Sequence, residues 1–206
     1  PINWSSPAHI LEKIITYESV HEIENWDDLR RRLQPEDRRC FAFFHPAMPD
    51  EPLIFVEVAL TKGTPNSIQS VLLENRDAMA AEKADTAAFY SISNCQAGLA
   101  GISFGNSLIK TVVQHLLREL PQIRNFVTLS PIPGLVKWLR ETGNFDADAT
   151  AETHRQLAAH YLLNAKHHNG QPRDPVARFH LNNGALVGAV HANADKSKNG
   201  MAQSCG

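Results

Sequence analysis

Thr86-Ala-Ala-Phe-Tyr-Ser-Ile-Ser93, then Gln96-Ala-Gly-Leu-Ala-Gly-Ile-Ser-Phe-Gly105, then Asn106 to Leu120 read in succession as a strand, a glycine-studded turn and a long amphipathic helix. In that helix Leu108, Val112, Leu116 and Leu120 form one stripe with Ile109, Val113 and Leu117 beside it, the pattern of a helix lying on a sheet. A second short strand, Asn125-Phe-Val-Thr-Leu-Ser130, ends in a polar residue and stops at Pro131-Ile-Pro-Gly134. Strand, glycine turn and helix N-terminus together are the usual apparatus for holding a phosphate on backbone N–H groups. The spacing does not choose a ligand. Gly98, Gly101 and Gly105 are three and four apart, which is neither G-x-G-x-x-G nor a P-loop, since Gly105-Asn106-Ser107 lacks the lysine. No acid follows about twenty residues on in the dinucleotide manner. A structural turn and a phosphate grip both stay open.

Working outward towards the N-terminus, Ser6-Pro7 reads as an N-cap with proline at the first helical position, ahead of Ile10, Leu11, Ile14 and Ile15 on one face. Asn25 caps a second helix with acids in its first turn, Asp27 and Asp28, and Arg30-Arg31-Arg32 near its end. The arginine run reads as dipole-matched surface, with an anion site as the alternative. Arg39 to Phe44 and Leu53 to Leu60 are strands joined by a proline-rich hairpin connection. Glu57, inside the second, reads as outward-facing or paired more readily than catalytic. A helix is expected near Asn66 to Glu74. Beyond the organising stretch, Gly134 to Glu141 and Thr150 to Lys166 read as helices, and Asn169-Gly-Gln-Pro-Arg-Asp-Pro175 as a turn. Val176 to Leu181 and Ala185 to Val190 read as a hairpin turning at Asn183-Gly184. The polar run from Ala192 carries no structural signal. The expectation is α+β (α/β) with a mixed sheet in a single domain: a helical lead-in over 1–36, a sheet core over 39–190 and an unassigned tail over 192–206.

The composition excludes several function classes. A formal charge of −2 over 206 residues, with no basic patch interleaved with aromatics, gives no nucleic-acid signature. No apolar run approaches membrane-spanning length. Three widely spaced cysteines, Cys40, Cys95 and Cys205, fit a reducing compartment, and the expected location is the cytoplasm. The start at Pro1 and the stop at Ser204-Cys205-Gly206 read as a fragment of a longer protein.

Ser130 is a candidate nucleophile or proton donor at a strand end. A hydrolase elbow needs G-x-S-x-G and the N–H after the serine, but the neighbours here are Leu129 and Pro131, and proline has no N–H. A helix cap and an active-site hydroxyl remain. Among ten histidines there is no H-E-x-x-H, and His154, His160, His167 and His168 read as helix-end surface; no metal site is expected. His180 differs because it alternates with Phe179 and Leu181 on an expected strand, where a satisfied sheet histidine and a catalytic one both remain open.

Several long segments resemble the catalytic domain of malonyl-CoA decarboxylase, in that family's order. They are Trp26-Asp-Asp-Leu-Arg-Arg-Arg-Leu33, Arg39-Cys-Phe-Ala-Phe-Phe-His-Pro46, Glu51-Pro-Leu-Ile-Phe-Val-Glu-Val-Ala-Leu60, Phe89-Tyr-Ser-Ile-Ser93, Gly101-Ile-Ser-Phe-Gly-Asn-Ser-Leu-Ile-Lys110, Leu129-Ser-Pro-Ile-Pro-Gly134 and Asp174-Pro-Val-Ala-Arg-Phe-His-Leu-Asn-Asn-Gly184. The resemblance implies an N-acetyltransferase-like (GNAT) fold and a reaction without cofactor or metal, in which malonyl-CoA is the substrate and acetyl-CoA the product. It implies a CoA grip made by Gln96, Gly98, Leu99, Gly101, Ile102, Ser103, Phe104, Gly105 and Asn106. The family's catalytic serine falls on Ser130 and its catalytic histidine on His180. It further implies a homo-oligomer for the full-length protein, through an N-terminal helical domain that these residues do not include. The family's C-terminal segment with a functional tyrosine is likewise not among them. Ala189-Val-His-Ala192 stands where the family tends to have Arg-x-Asn-Trp.

Loss of CO2 from a malonyl thioester pushes two electrons into the thioester carbonyl, so the substrate is its own electron sink. The protein must supply donors to the developing oxyanion and a proton to carbon. Two other readings accompany this one: acyl transfer to an amine on the same fold, for which Glu57 is the only strand base, and an acyl-CoA-binding module without catalysis.

Overall fold

The computed structural model describes residues 1–99 and 104–206, without the side chains of Leu99 and of residues 104–106. Gly101, Ile102 and Ser103 of the expected grip lie outside the described residues. The chain divides into two compact units, one of residues 1–65 and 70–129, the other of residues 66–69 and 130–206.

The first unit holds a four-stranded sheet in the order β1-β2-β3-β4, from β1 (Arg38–His45), β2 (Met48–Thr61), β3 (Thr86–Asn94) and β4 (Asn125–Thr128). The first three strands pair antiparallel and β4 joins β3 in parallel, so the sheet is mixed. The parallel step requires a crossover, supplied by α4 (Phe104–Glu119). Leu108, Val112, Leu116 and Leu120 of that region lie buried with Val56, Val58, Leu60 and Phe89 on one sheet face, while Leu117 of the second row is 44% exposed. On the other face α1 (Ala8–Tyr17) and α2 (Trp26–Leu33) pack Ile14 and Leu29 with Cys40 and Phe55. Period-two alternation along β2 thus feeds two cores.

Local starts and stops differ in small ways from the sequence expectation. Pro7, not Ser6, takes the N-cap position of α1 and makes no side-chain cap, whereas Asn25 caps α2 through the Asp28 amide at 2.9 Å. β2 begins at Met48, so most of the proline-rich connection is strand; register shifts between Phe43, Phe44 and His45 absorb the prolines. A short helix, α3, covers only Ile68–Leu72.

The arginine run divides. Arg30 is exposed, but Arg32 is 2% exposed and reaches through the α1/α2 face to Glu57. Its guanidinium donates to Glu57 Oε2 at 3.3 Å, to Asp28 and to the His21 and Glu22 carbonyls. Glu57 is therefore buried and paired. Burial, with help from the Glu18 charge, still pushes its carboxyl up to about 8 against the pull of Arg32, and its Oε1 has no hydrogen-bond partner among the described residues.

In the second unit α5 (Leu135–Glu141), α6 (Ala151–Asn164), α7 (Pro175–Asn182) and α8 (Lys198–Ser204) are helical. Leu135, Leu139, Ala158, Tyr161 and Ala165 form its core. Residues 66–69 belong to this unit: the Ile68 amide donates to Ala194 O at 2.7 Å, and Gln69 accepts from the Lys196 amide at 3.1 Å. Two sequence expectations fail here. Val176 to Leu181 is helix α7, and Ala185 to Val190 pairs with no strand. The tail left unassigned from the sequence contains α8, capped by Ser197 on the Gly200 amide.

Candidate active site

Ser130 follows the end of the β3–β4 pairing, whose last bond runs from the Leu129 amide to Phe89 O. The chain then crosses Pro131-Ile132-Pro133 and enters α5 after Gly134. Gly134 is the N-cap of α5 and no side chain caps it, which removes the capping role considered for Ser130. Instead Ser130 Oγ lies 3.1 Å from His180 Nε2.

His180 is on α7 and not on the strand expected from sequence, so the two residues meet between a loop and a helix. Phe179 and Leu181 are spaced as on a strand, but Val176 and Phe179 are spaced as on a helical face, so the apolar pattern does not choose. The deciding signal was Asp174-Pro175, an N-cap followed by proline at the first helical position. Asp174 is 1% exposed. Its Oδ1 accepts from the Val176 and Ala177 amides at 3.0 and 2.9 Å, and its Oδ2 accepts from the Gly134 amide at 3.1 Å. Around that junction Gly134 leaves room for Tyr161: a Cβ there would strike the phenol hydroxyl and lie 3.3 Å from Asp174 Oδ2.

The electrostatics follow from burial. His180 is half-buried and its ring is pushed below the histidine value of 6.5 by desolvation, which favours the neutral imidazole. Burial pushes the Tyr161 phenol up to about 12, and the Asp174 charge adds to that, so it stays a neutral hydroxyl. Asp174 itself is raised by burial, with the three amides acting in the opposite direction. A neutral imidazole against a hydroxyl can pass a proton either way, the direction depending on which nitrogen carries hydrogen.

Of the other singled-out residues, Gln96 donates to Pro52 O at 3.2 Å and Gly98 lies in the turn Ala97–Leu99 with open space at its Cα. Phe104, Gly105 and Asn106 form the first turn of α4. His154 bonds the Asp146 carbonyl and His160 stacks on Trp138, both surface roles. Among the described residues no group of three or more His, Cys, Asp or Glu is placed to hold a metal ion, and no helix is long and apolar enough to cross a membrane. Sequence reasoning missed Asp174, Tyr161 and Gly134 as parts of the site.

The fold is GNAT-like: the GNAT-like decarboxylase GphF, solved in complex with isobutyryl-CoA, superposes with a TM-score of 0.63 at 20% identity, covering 95% of this chain and 91% of that one, a likeness of fold. The malonyl-CoA decarboxylase C-terminal domain model matches residues 1–155 and 142–206, and the chain belongs to that family. It is 40% identical to the mitochondrial malonyl-CoA decarboxylase of Anser anser anser across 100% of this chain and 50% of that protein. The crystal structure of malonyl-CoA decarboxylase from Rhodopseudomonas palustris superposes with a TM-score of 0.88 at 55% identity, covering 98% of this chain and 56% of that one. The chain spans about half the length of these relatives.

Proposed function

We propose that the protein decarboxylates malonyl-CoA to acetyl-CoA and CO2, with Ser130 and His180 as its reacting pair. The observation that carries this reading is the 3.1 Å contact between the Ser130 hydroxyl and His180 in a chain of this family. As the carboxylate leaves as CO2, the electron pair of the broken C–C bond moves into the thioester as an enolate. His180 polarises the malonyl group, and the Ser130 hydroxyl gives its proton to the α-carbon. The imidazole returns a proton to the serine oxygen and regains one from solvent, so one proton is consumed per turnover. Pro131 offers no amide beside Ser130, which favours a proton-handling hydroxyl over an acyl-enzyme nucleophile.

The reaction needs no electron sink beyond the thioester, and we assign it no cofactor. The stretch from Gln96 to Asn106 is read from its sequence as the grip on the CoA pyrophosphate, through backbone N–H groups at the start of α4. Acyl transfer to an amine is the weaker reading, because its candidate base, Glu57, is wholly buried and paired with Arg32.

The test is CO2 release from malonyl-CoA by the full-length protein. Ser130→Ala and His180→Asn should each lower turnover about 10²–10⁴-fold, the usual worth of a positioned proton-transfer group. Near wild-type turnover in both sinks the pair, and CoA release that depends on an added amine supports the transferase instead.

A further inference from the structure

We propose that Asp174 is the positioning residue of the Ser130–His180 pair. The inference rests on the decarboxylase reading and concerns how its two reacting groups are held together. They come from segments fifty residues apart, a loop after Leu129 and the helix α7, and neither segment alone fixes the distance between them.

One buried carboxylate spans both. Its Oδ1 closes the first turn of α7, binding two of the amides that a helix start leaves unpaired, and so fixes the register of the helix that carries His180. Its Oδ2 holds the Gly134 amide, four residues beyond Ser130, in a loop where Pro131 and Pro133 have no amide to donate. An ordinary N-cap would need only the first arm. The second arm makes the carboxylate a strut between the serine loop and the histidine helix, and the absence of a side chain at Gly134 lets it approach.

Asp174→Asn isolates that strut. Asparagine caps helices as well as aspartate, but its amide has one acceptor oxygen. Whichever way it turns, either the cap or the tether meets an N–H group instead. Asp174→Ser keeps a cap and has no second arm at all, and serves as the alternative if the asparagine variant does not fold.

In the full-length protein, either variant should lose turnover by up to about 10²-fold, the effect of a misplacement near 1 Å, with KM for malonyl-CoA unchanged. Because the strut acts through Ser130, adding Asp174→Asn to Ser130→Ala should cost little more than Ser130→Ala alone. The proposal is overturned if the Asp174 variants turn over like wild type while Ser130→Ala and His180→Asn are impaired. It is equally overturned if their loss lies in KM, or multiplies fully with that of Ser130→Ala. Wild-type turnover in Ser130→Ala and His180→Asn instead removes the pair itself, whatever the Asp174 variants do.

Discussion

Ser130 Oγ and His180 Nε2 stand 3.1 Å apart although the first leaves a strand end and the second rides a helix. Groups that pass one proton between them act as a unit, and their removal is not additive. Ser130→Ala combined with His180→Asn should therefore be about as slow as the slower single variant. Single-turnover CO2 release from the full-length protein measures it. A double variant slower by the product of the two separate losses would mean independent tasks.

The pH dependence of kcat/KM follows from the environment of His180. Burial disfavours the imidazolium, so a rate that needs the neutral ring should persist below pH 6.5 and fall as pH drops through the lowered value. The stability term has the same sign: the unfolded ring binds its proton first, so the native state loses stability as pH falls through that window. An acid limb at or above 6.5 that disappears in His180→Asn would contradict the assignment.

Glu57 behaves oppositely. Its carboxyl moves from 4.5 to about 8 on burial, so the native state holds a proton that the unfolded chain has released, and stability declines as pH rises across that interval. Glu57→Gln should flatten the decline, matching wild type in melting temperature near the low end and exceeding it above about 8. Thermal melts across pH decide the matter; parallel curves for the two proteins would show that the buried carboxyl stays ionised.

Tyr90 is 2% exposed and its hydroxyl has no hydrogen-bond partner among the described residues. A buried hydroxyl without a partner is a desolvation cost with no return, so Tyr90→Phe should raise unfolding stability by about 1 kcal/mol. Denaturant titration reads this directly. A loss of stability would reveal a partner, such as water, for the phenol.

Gly134→Ala tests the crowding at the serine loop. Its backbone, at φ −89° and ψ −7°, suits any residue, so strain can come only from the new methyl meeting Tyr161 and Asp174. Destabilisation of about 1–3 kcal/mol is expected for such overpacking. Tyr161→Phe in the same chain, by removing the atom in closest conflict, should restore part of it. An unchanged melting temperature for Gly134→Ala would mean that the loop moves aside freely.

The first three strands were legible because they carry aromatic or β-branched residues over eight or more positions, as in Leu53 to Leu60, and the helix between β3 and β4 because it shows an unbroken apolar stripe. α7 was not, since Val176 and Phe179 have helical spacing whereas Phe179 and Leu181 have strand spacing, and eight residues are too few to arbitrate. Only the Asp174-Pro175 start separates them. Ser130 and His180 stood out from their own neighbours, but only the resemblance joined them as a pair, since the residues alone left His180 open between a satisfied and a catalytic histidine. Glu57, read as outward-facing or paired, is paired, and its partner was hidden in a run of three arginines of which only Arg32 is buried. Asp174 escaped notice because a turn-rich sequence disguises a carboxylate that serves two segments at once.

Ile68 and Gln69 reach Ala194 and Lys196 from a short stretch inserted far upstream in the chain. The second unit is therefore modular in space but not in its gene. A breakpoint at Ser130 would transplant its helices without residues 66–69, leaving the Ala194 carbonyl without its amide and Lys196 without its acceptor. A transplant of the unit therefore keeps both bonds only if position 68 brings a backbone amide and position 69 an acceptor side chain.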